Sequence, residues 1–189
     1  GIVQQLGRAP DTVLIPCGGG AGMVAAHDAF REMFAAGVID RMPRLVGVQL
    51  QACDLTARAF HEGRDAVTPV DKKPSLSDAI MNNNPYWGRY CLQAVRETGG
   101  TMISVSDADF IRTIRELGRE EGLFTEPAGS VSVAALRYLV KVPGFKNPGL
   151  TVCNLTGHGL NVPQVATDES ETPGVIPPTV EAVEAFLQS

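Results

Sequence analysis

Long hydrophobic runs are missing from this 189-residue chain. No apolar stretch approaches the roughly 20 residues that a bilayer-spanning helix needs. The amino-terminal Gly1-Ile2-Val3-Gln4-Gln5 has no basic segment leading into a signal core. Positive charge is also scarce: 16 Lys and Arg against 21 Asp and Glu leave a net charge of −5, and the basic residues are dispersed. Without a cationic patch to meet a phosphate backbone or anionic lipid, nucleic acid and membrane are excluded as partners, and a cytoplasmic location is expected. Cysteine and histidine are few. Cys17, Cys53, Cys91 and Cys153 stand 36, 38 and 62 residues apart, and only His27, His61 and His158 accompany them. These are not the short spacings of a zinc site or a redox pair, so buried free thiols and no metal are expected.

What the chain does have is an ordinary globular composition, 44% hydrophobic and 20% charged. A chain of this length buries roughly 70% of its unfolded surface, enough for a substantial core. Thr12-Val-Leu-Ile-Pro16 is a short apolar run, followed by a glycine-rich turn and a helix through Phe30, Met33 and Phe34 that should stop at Gly37. A second strand is expected over Leu45 to Leu50, helix over 51 to 61, loop over Arg64 to Pro74, and helix from Tyr86 to Thr98. Thr101 to Val105 reads as the third strand. Ser106 and Asp107 are candidate caps for a helix from about Ala108 to Glu121. Pro127 suits the first turn of a further helix, and Leu150 to Leu155 reads as the fourth strand.

Apolar strands alternating with helices predict an α/β fold with an open, mostly parallel sheet and helices on both faces. One α/β domain is expected over residues 1–166. A proline-rich linker (Thr167 to Pro178) and a terminal helix (Val180 to Leu187) should fill residues 167–189.

Chemistry concentrates at two turns. Pro16-Cys17-Gly18-Gly19-Gly20-Ala21-Gly22-Met23 joins a strand to a helix, where free amides and the helix dipole favour an anion such as phosphate. Gly22 is followed by Met23 instead of Lys-Ser/Thr, which excludes a nucleoside-triphosphate loop. A dinucleotide fingerprint would need a small residue at position 23 and an acid near the end of the second strand, where Gln49 and Gln51 stand. A cradle for one cofactor phosphate remains, alongside a plain tight turn. The second turn, Leu155-Thr156-Gly157-His158-Gly159-Leu160, also follows an apolar strand, and ligands of parallel sheets collect at such carboxyl ends. Thr156 could hydrogen-bond a heterocyclic nitrogen without imposing charge on it, or cap its own turn.

Four segments in this order resemble threonine synthase, in the fold-type II group of pyridoxal-phosphate (PLP) enzymes. They are the glycine-loop segment, Gly37-Val-Ile-Asp40-Arg41-Met-Pro43-Arg44-Leu-Val-Gly-Val-Gln49, Gly122-Leu-Phe-Thr-Glu126-Pro127-Ala128, and Leu155 to Leu160. The resemblance implies a partial tryptophan synthase β-like fold with PLP as cofactor. It assigns Gly18, Gly19, Gly20, Ala21 and Gly22 to the cofactor phosphate and Thr156 to the pyridine nitrogen, and places Glu126-Pro127-Ala128 on the cofactor side. The chain departs from the family pattern at Gly19 and Gly22, where asparagine is common, and at Asn161-Val162, where Lys-Asp is usual. It also departs at Asn83, which replaces the glycine of a Gly-Asn-Pro segment.

The family holds PLP as a Schiff base on a lysine upstream of the glycine loop. The lysines here are Lys72, Lys73, Lys141 and Lys146, all in loop-like contexts without that motif. The chain is therefore expected to be the C-terminal portion of an enzyme that converts O-phospho-L-homoserine and water to L-threonine and phosphate. Alone it should be inactive. A related threonine/serine dehydratase, a sulfur-replacement synthase, or a non-catalytic anion-binding or assembly domain are the alternatives. The expected partners are a small amino-acid substrate and either a second copy of the chain or the N-terminal half.

Overall fold

Strands that lie inside a sheet covered on both faces read as nearly continuous apolar runs, and three of the four strands here are buried along almost their whole length. The computed structural model describes residues 1–167 and 175–188. Its strands are β1 (Thr12–Pro16), β2 (Arg44–Leu50), β3 (Thr101–Val105) and β4 (Thr151–Cys153). They form one sheet in the order β3-β2-β1-β4, and every neighbouring pair is parallel. Leu14 is aligned with Val46 on one side and Cys153 on the other.

The helices are α1 (Ile2–Leu6), α2 (Ala21–Ala35), α3 (Leu55–His61), α4 (Gly88–Glu97), α5 (Asp107–Glu116), α6 (Pro127–Ala134), α7 (Leu136–Leu139), α8 (Gln164–Thr167) and α9 (Val180–Leu187). Alternation along the strands divides the core in two. Val13, Ile15, Leu45 and Met102 pack with Met23 and Phe30 of α2 and with Cys91 and Val95 of α4. Leu14, Val46, Val48 and Ile103 pack with Phe110 and Ile114 of α5 and with Val131 and Ala134 of α6. The chain thus winds outward from β1 to β3 with α2 to α4 on one face. It then returns past β1 to β4 with α5 to α7 on the other.

Helix ends follow the expected chemistry. Gly37 takes φ +69° just after α2, and Pro127 occupies the first turn of α6. Several details differ from the sequence reading: the helix expected over 51 to 61 divides into a 3-10 turn, Gln51–Cys53, and α3, and a short helix, α8, precedes the expected linker. The helix expected to reach Glu121 ends as α-helix at Glu116 and widens into a π turn, Leu117–Glu121. Leu117 is buried there, and the turn closes when Leu123 N–H donates to the Leu117 carbonyl, with Gly122 at φ +67°. The fourth strand is only three residues long. Asn154 N–H still donates to Leu14, but its carbonyl accepts from Ser132 Oγ at 3.0 Å, which turns the chain off the sheet edge. Helix α1, at five residues, is too short to show a periodicity. Of the expected linker, residues 168–174 lie outside the described residues. Beyond it Thr179 Oγ1 caps α9 by accepting from Ala182 N–H. Among the described residues no helix is long and apolar enough to cross a membrane.

The start of α5 is tied down by a buried carboxylate. Asp109 Oδ2 accepts from Ser106 N–H (3.0 Å), Ser106 Oγ (2.6 Å) and Tyr138 Oη (2.8 Å), while Oδ1 accepts from Arg112 (3.0 Å). Burial alone would raise the Asp109 carboxyl. The Ser106 hydroxyl and amide, Tyr138 and Arg112 outweigh it and hold the pKa below the ordinary value. A depressed folded pKa contributes stability that is full above the unfolded pKa and is lost as pH falls through the folded one. Asp109→Asn is therefore expected to cost about 2 kcal/mol in urea unfolding at pH 7. The gap from the unaltered chain should shrink below about pH 4.

Candidate functional site

Because β1 is flanked by β2 on one side and β4 on the other, connections leave it in opposite directions. That makes the β1/β4 boundary a topological switch point, where open α/β sheets leave a crevice for ligands at the strands' carboxyl ends. The glycine loop leaves β1 here, and the Thr156 turn leaves β4 here.

The glycine loop begins with two anchors. Cys17 N–H donates to Val48 O at 2.7 Å, and the Cys17 carbonyl accepts from Gln49 Nε2 at 3.1 Å. Gln49 is almost fully buried, and its Oε1 accepts from Ala57 N–H of α3 at 2.9 Å. This one amide side chain ties the loop's entry to β2 and α3. The sequence reading weighed Gln49 as the wrong residue for a ribose contact and as the end of a segment shared with the family, and its bracing role carried no local signal.

The glycines serve different ends. Gly20 takes φ +94°, caps α2 without a side chain, and packs against Trp87 and Cys91. Gly18 and Gly19 have no left-handed backbone; their smallness admits the segment before α4. A Cβ on Gly18 would sit 3.1 Å from Ile80 Cα, and one on Gly19 would sit 3.0 Å from Asn82 Nδ2. Around Gly22 the space is open. Helix α2 has no acidic residue in its first turn. Its leading amides at Ala21, Gly22 and Met23 have no partner within the helix, and Ala21 and Gly22 are exposed. An exposed, uncapped start of a 15-residue helix suits a phosphate dianion.

The Thr156 turn is clamped by α6 and the residues before it. Gly129 lies against the Thr156 and Gly157 amides, leaving 3.2 and 3.1 Å to an added Cβ. Glu126 N–H donates to Gly157 O, Gly159 N–H donates to Phe124 O, and Thr125 bridges antiparallel to His158. The Glu126 carboxylate lies against Gly157 and accepts from Asn161 Nδ2 at 2.8 Å. Thr156 itself is exposed. Beside the turn, Thr125 Oγ1 is buried without a hydrogen-bond partner.

The four cysteines are free thiols: Cys17, Cys53 and Cys91 are buried and Cys153 is half-buried. Two of them meet although 74 residues apart: Cys17 Sγ and Cys91 Sγ lie 3.3 Å from each other. The Cys17 hydrogen bond and burial push the Cys91 thiol well up, and burial pushes Cys153 up to about 11. The four lysines are exposed. Lys141 and Lys146 lie in the segment entering β4, at the sheet end opposite the glycine loop. Among the described residues no group of three or more His, Cys, Asp or Glu is placed to hold a metal ion.

These residues fit PLP. Uncapped amides can take its phosphate, and a neutral, exposed hydroxyl on the adjoining strand's turn can meet its ring nitrogen. The fit depends on the loop entry staying in place. Gln49→Leu would strand the Cys17 carbonyl and the Ala57 amide, so it is expected to cost about 2–4 kcal/mol in urea unfolding. Gln93→Leu on exposed α4 surface should cost far less.

Comparison with known proteins identifies the family. The model of a family described as "Pyridoxal-phosphate dependent enzyme" matches residues 1–157. Threonine synthase of Methanosarcina acetivorans is 34% identical over 183 residues, covering 96% of this chain and 45% of that protein. Threonine synthase of Synechocystis sp. is 36% identical over 171 residues, covering 89% and 42%. The chain spans less than half the length of these relatives. The solved structure of maize serine racemase superposes with a TM-score of 0.68 over 88% of this chain and 48% of that one. At 14% identity it shows a shared fold. With the family model covering most of its length, the chain belongs to the pyridoxal-phosphate dependent enzymes, of fold type II.

Proposed function

We propose that the chain supplies the phosphate cradle and the pyridine contact of a cytoplasmic threonine synthase, within a longer polypeptide that converts O-phospho-L-homoserine and water to L-threonine and phosphate. The observation that carries the cofactor role is the exposed, uncapped start of α2 at the switch point, beside the Thr156 turn. The reaction is supported by similarity to threonine synthases along 96% of the chain.

Bound PLP supplies an electron sink for negative charge that develops on substrate carbon. The chain's own part is to hold and orient it. Amides from Gly18 to Gly22, aided by the α2 dipole, donate to the phosphate. The Thr156 hydroxyl serves as a neutral partner of the ring nitrogen, so it does not demand a proton there as a carboxylate would. Glu126 and Asn161 hold the Thr156 turn against α6. Ile80 and Trp87 pack on the loop. The lysine that would hold the cofactor is expected in the rest of the enzyme, since Lys141 and Lys146 lie at the opposite end of the sheet and Lys72 and Lys73 are exposed loop residues. Strand β4 is one of the two sheet edges and all its residues are half-buried. That supports pairing with a further strand, from the rest of the enzyme or from a second copy.

The test is turnover by the longest in-frame polypeptide containing this sequence, loaded with PLP. Equal amounts of phosphate and L-threonine should appear from O-phospho-L-homoserine. Formation of a 2-oxo acid from L-threonine without any phosphate release would replace the synthase reading with a dehydratase. Thr156→Ala is expected to lower kcat/KM about tenfold, the equivalent of one hydrogen bond. Its stability should hardly change, since the hydroxyl is exposed.

A further inference from the structure

The segment between α3 and α4 crosses the glycine loop and brings one polar side chain to it. Ile80 lies on Gly18, Trp87 N–H donates to Gly19 O at 3.2 Å, and the Asn82 carboxamide occupies the space a side chain on Gly19 would fill. The orientation of that carboxamide is determined. Asn84 N–H donates to Asn82 Oδ1 at 3.0 Å, and only the oxygen can accept. The NH2 end therefore faces the loop, with Nδ2 3.0 Å from the position of a Gly19 Cβ. Asn82 is half-buried, and its Nδ2 donates to no protein group among the described residues. From Gly18 to Gly22 the loop carries no polar side chain of its own.

We propose that the Asn82 carboxamide is a side-chain ligand of the phosphate monoester held by the glycine loop, replacing the side chain that Gly19 lacks. This rests on the reading of the loop as a phosphate cradle. A neutral donor suits the position: it adds a hydrogen bond to the dianion without placing a counter-charge over the cofactor. The same arrangement explains why Gly19 is glycine although its φ is ordinary. A Cβ there would press on the Asn82 carboxamide, which would have to give way by a few tenths of an ångström.

Trp87, the single tryptophan, packs against Gly20 and reports on the loop by its fluorescence. The longest in-frame polypeptide containing this sequence, freed of PLP, is titrated with pyridoxine 5'-phosphate, which has no aldehyde to react with lysines, and with pyridoxine as the control, the Trp87 signal being read as the difference from a Trp87→Phe variant. Asn82→Ala should weaken the phosphate ester about tenfold, and pyridoxine not at all. Asn82→Asp keeps the acceptor for Asn84 N–H but replaces the NH2 with a carboxylate, and should weaken it further. Gly19→Asn combined with Asn82→Ala should recover most of the affinity. A second titration, with O-phospho-L-homoserine at saturating pyridoxine 5'-phosphate, separates the two phosphate sources. If the Asn82-dependent loss appears there alone, the bound phosphate is the substrate's. Full affinity of both Asn82 variants for both esters, or equal loss of pyridoxine and its phosphate, overturns the assignment to Asn82 and leaves the cradle standing. If the unaltered polypeptide binds no phosphate ester, the cradle reading fails and this proposal with it.

Discussion

Hydrogen bonding of β1 on both sides is the constraint on which the rest of the structure depends. Thr12 to Pro16 pairs with β2, Thr12 to Leu14 pairs with β4, and both pairings are parallel. Parallel strands cannot be joined by a tight turn, so each connection must cross over a face. Reversal of the winding direction at β1 puts α2 to α4 on one face and α5 to α7 on the other. The same reversal leaves two turns, 139 residues apart at Cys17 and Thr156, at the same end of adjoining strands.

The loop at that crevice is held by packing as much as by backbone freedom. Only Gly20 uses a left-handed φ. Gly18 and Gly19 are small because another segment lies on them, and that segment is in turn secured at its far end. Ser75 Oγ and Leu76 N–H donate to Asp107 at the start of α5, while Ile80 and Met81 enter the core beside Val105 and Phe110. Gln49 holds the loop from below through Cys17. An anion cradle made of amides gains from such bracing, because donors already in place lose little freedom when the ligand arrives.

Much of the fold was legible because apolar runs of five to seven residues, glycine stops and a capping serine are local signals. The strands at 12–16, 44–50 and 101–105, the Ser106 cap and the first-turn Pro127 all lie where residue pattern places them. The fourth strand is shorter than its apolar run because the edge ends where Ser132 captures the Asn154 carbonyl. The helix after Ser106 changes to a π turn for a tertiary reason, the burial of Leu117. At the site, the glycine loop and Thr156 were marked by their position after apolar strands. The Gln49 brace, the Glu126–Asn161 clamp and the Cys17–Cys91 contact join residues 8 to 74 positions apart and left no local mark.

What the sequence determined by itself is the list of elements and the two small-residue turns, since strand runs, caps and stops depend on neighbours a few residues away. The order β3-β2-β1-β4, and with it the meeting of the two turns, was decided only by tertiary structure. Burying both faces of β1 requires partners far along the chain, and the pattern of one strand does not state which they are. The meaning of individual residues was decided there too. Glycine at 19 reads in the sequence as part of a phosphate cradle or a tight turn, and in the fold it also makes room for Asn82.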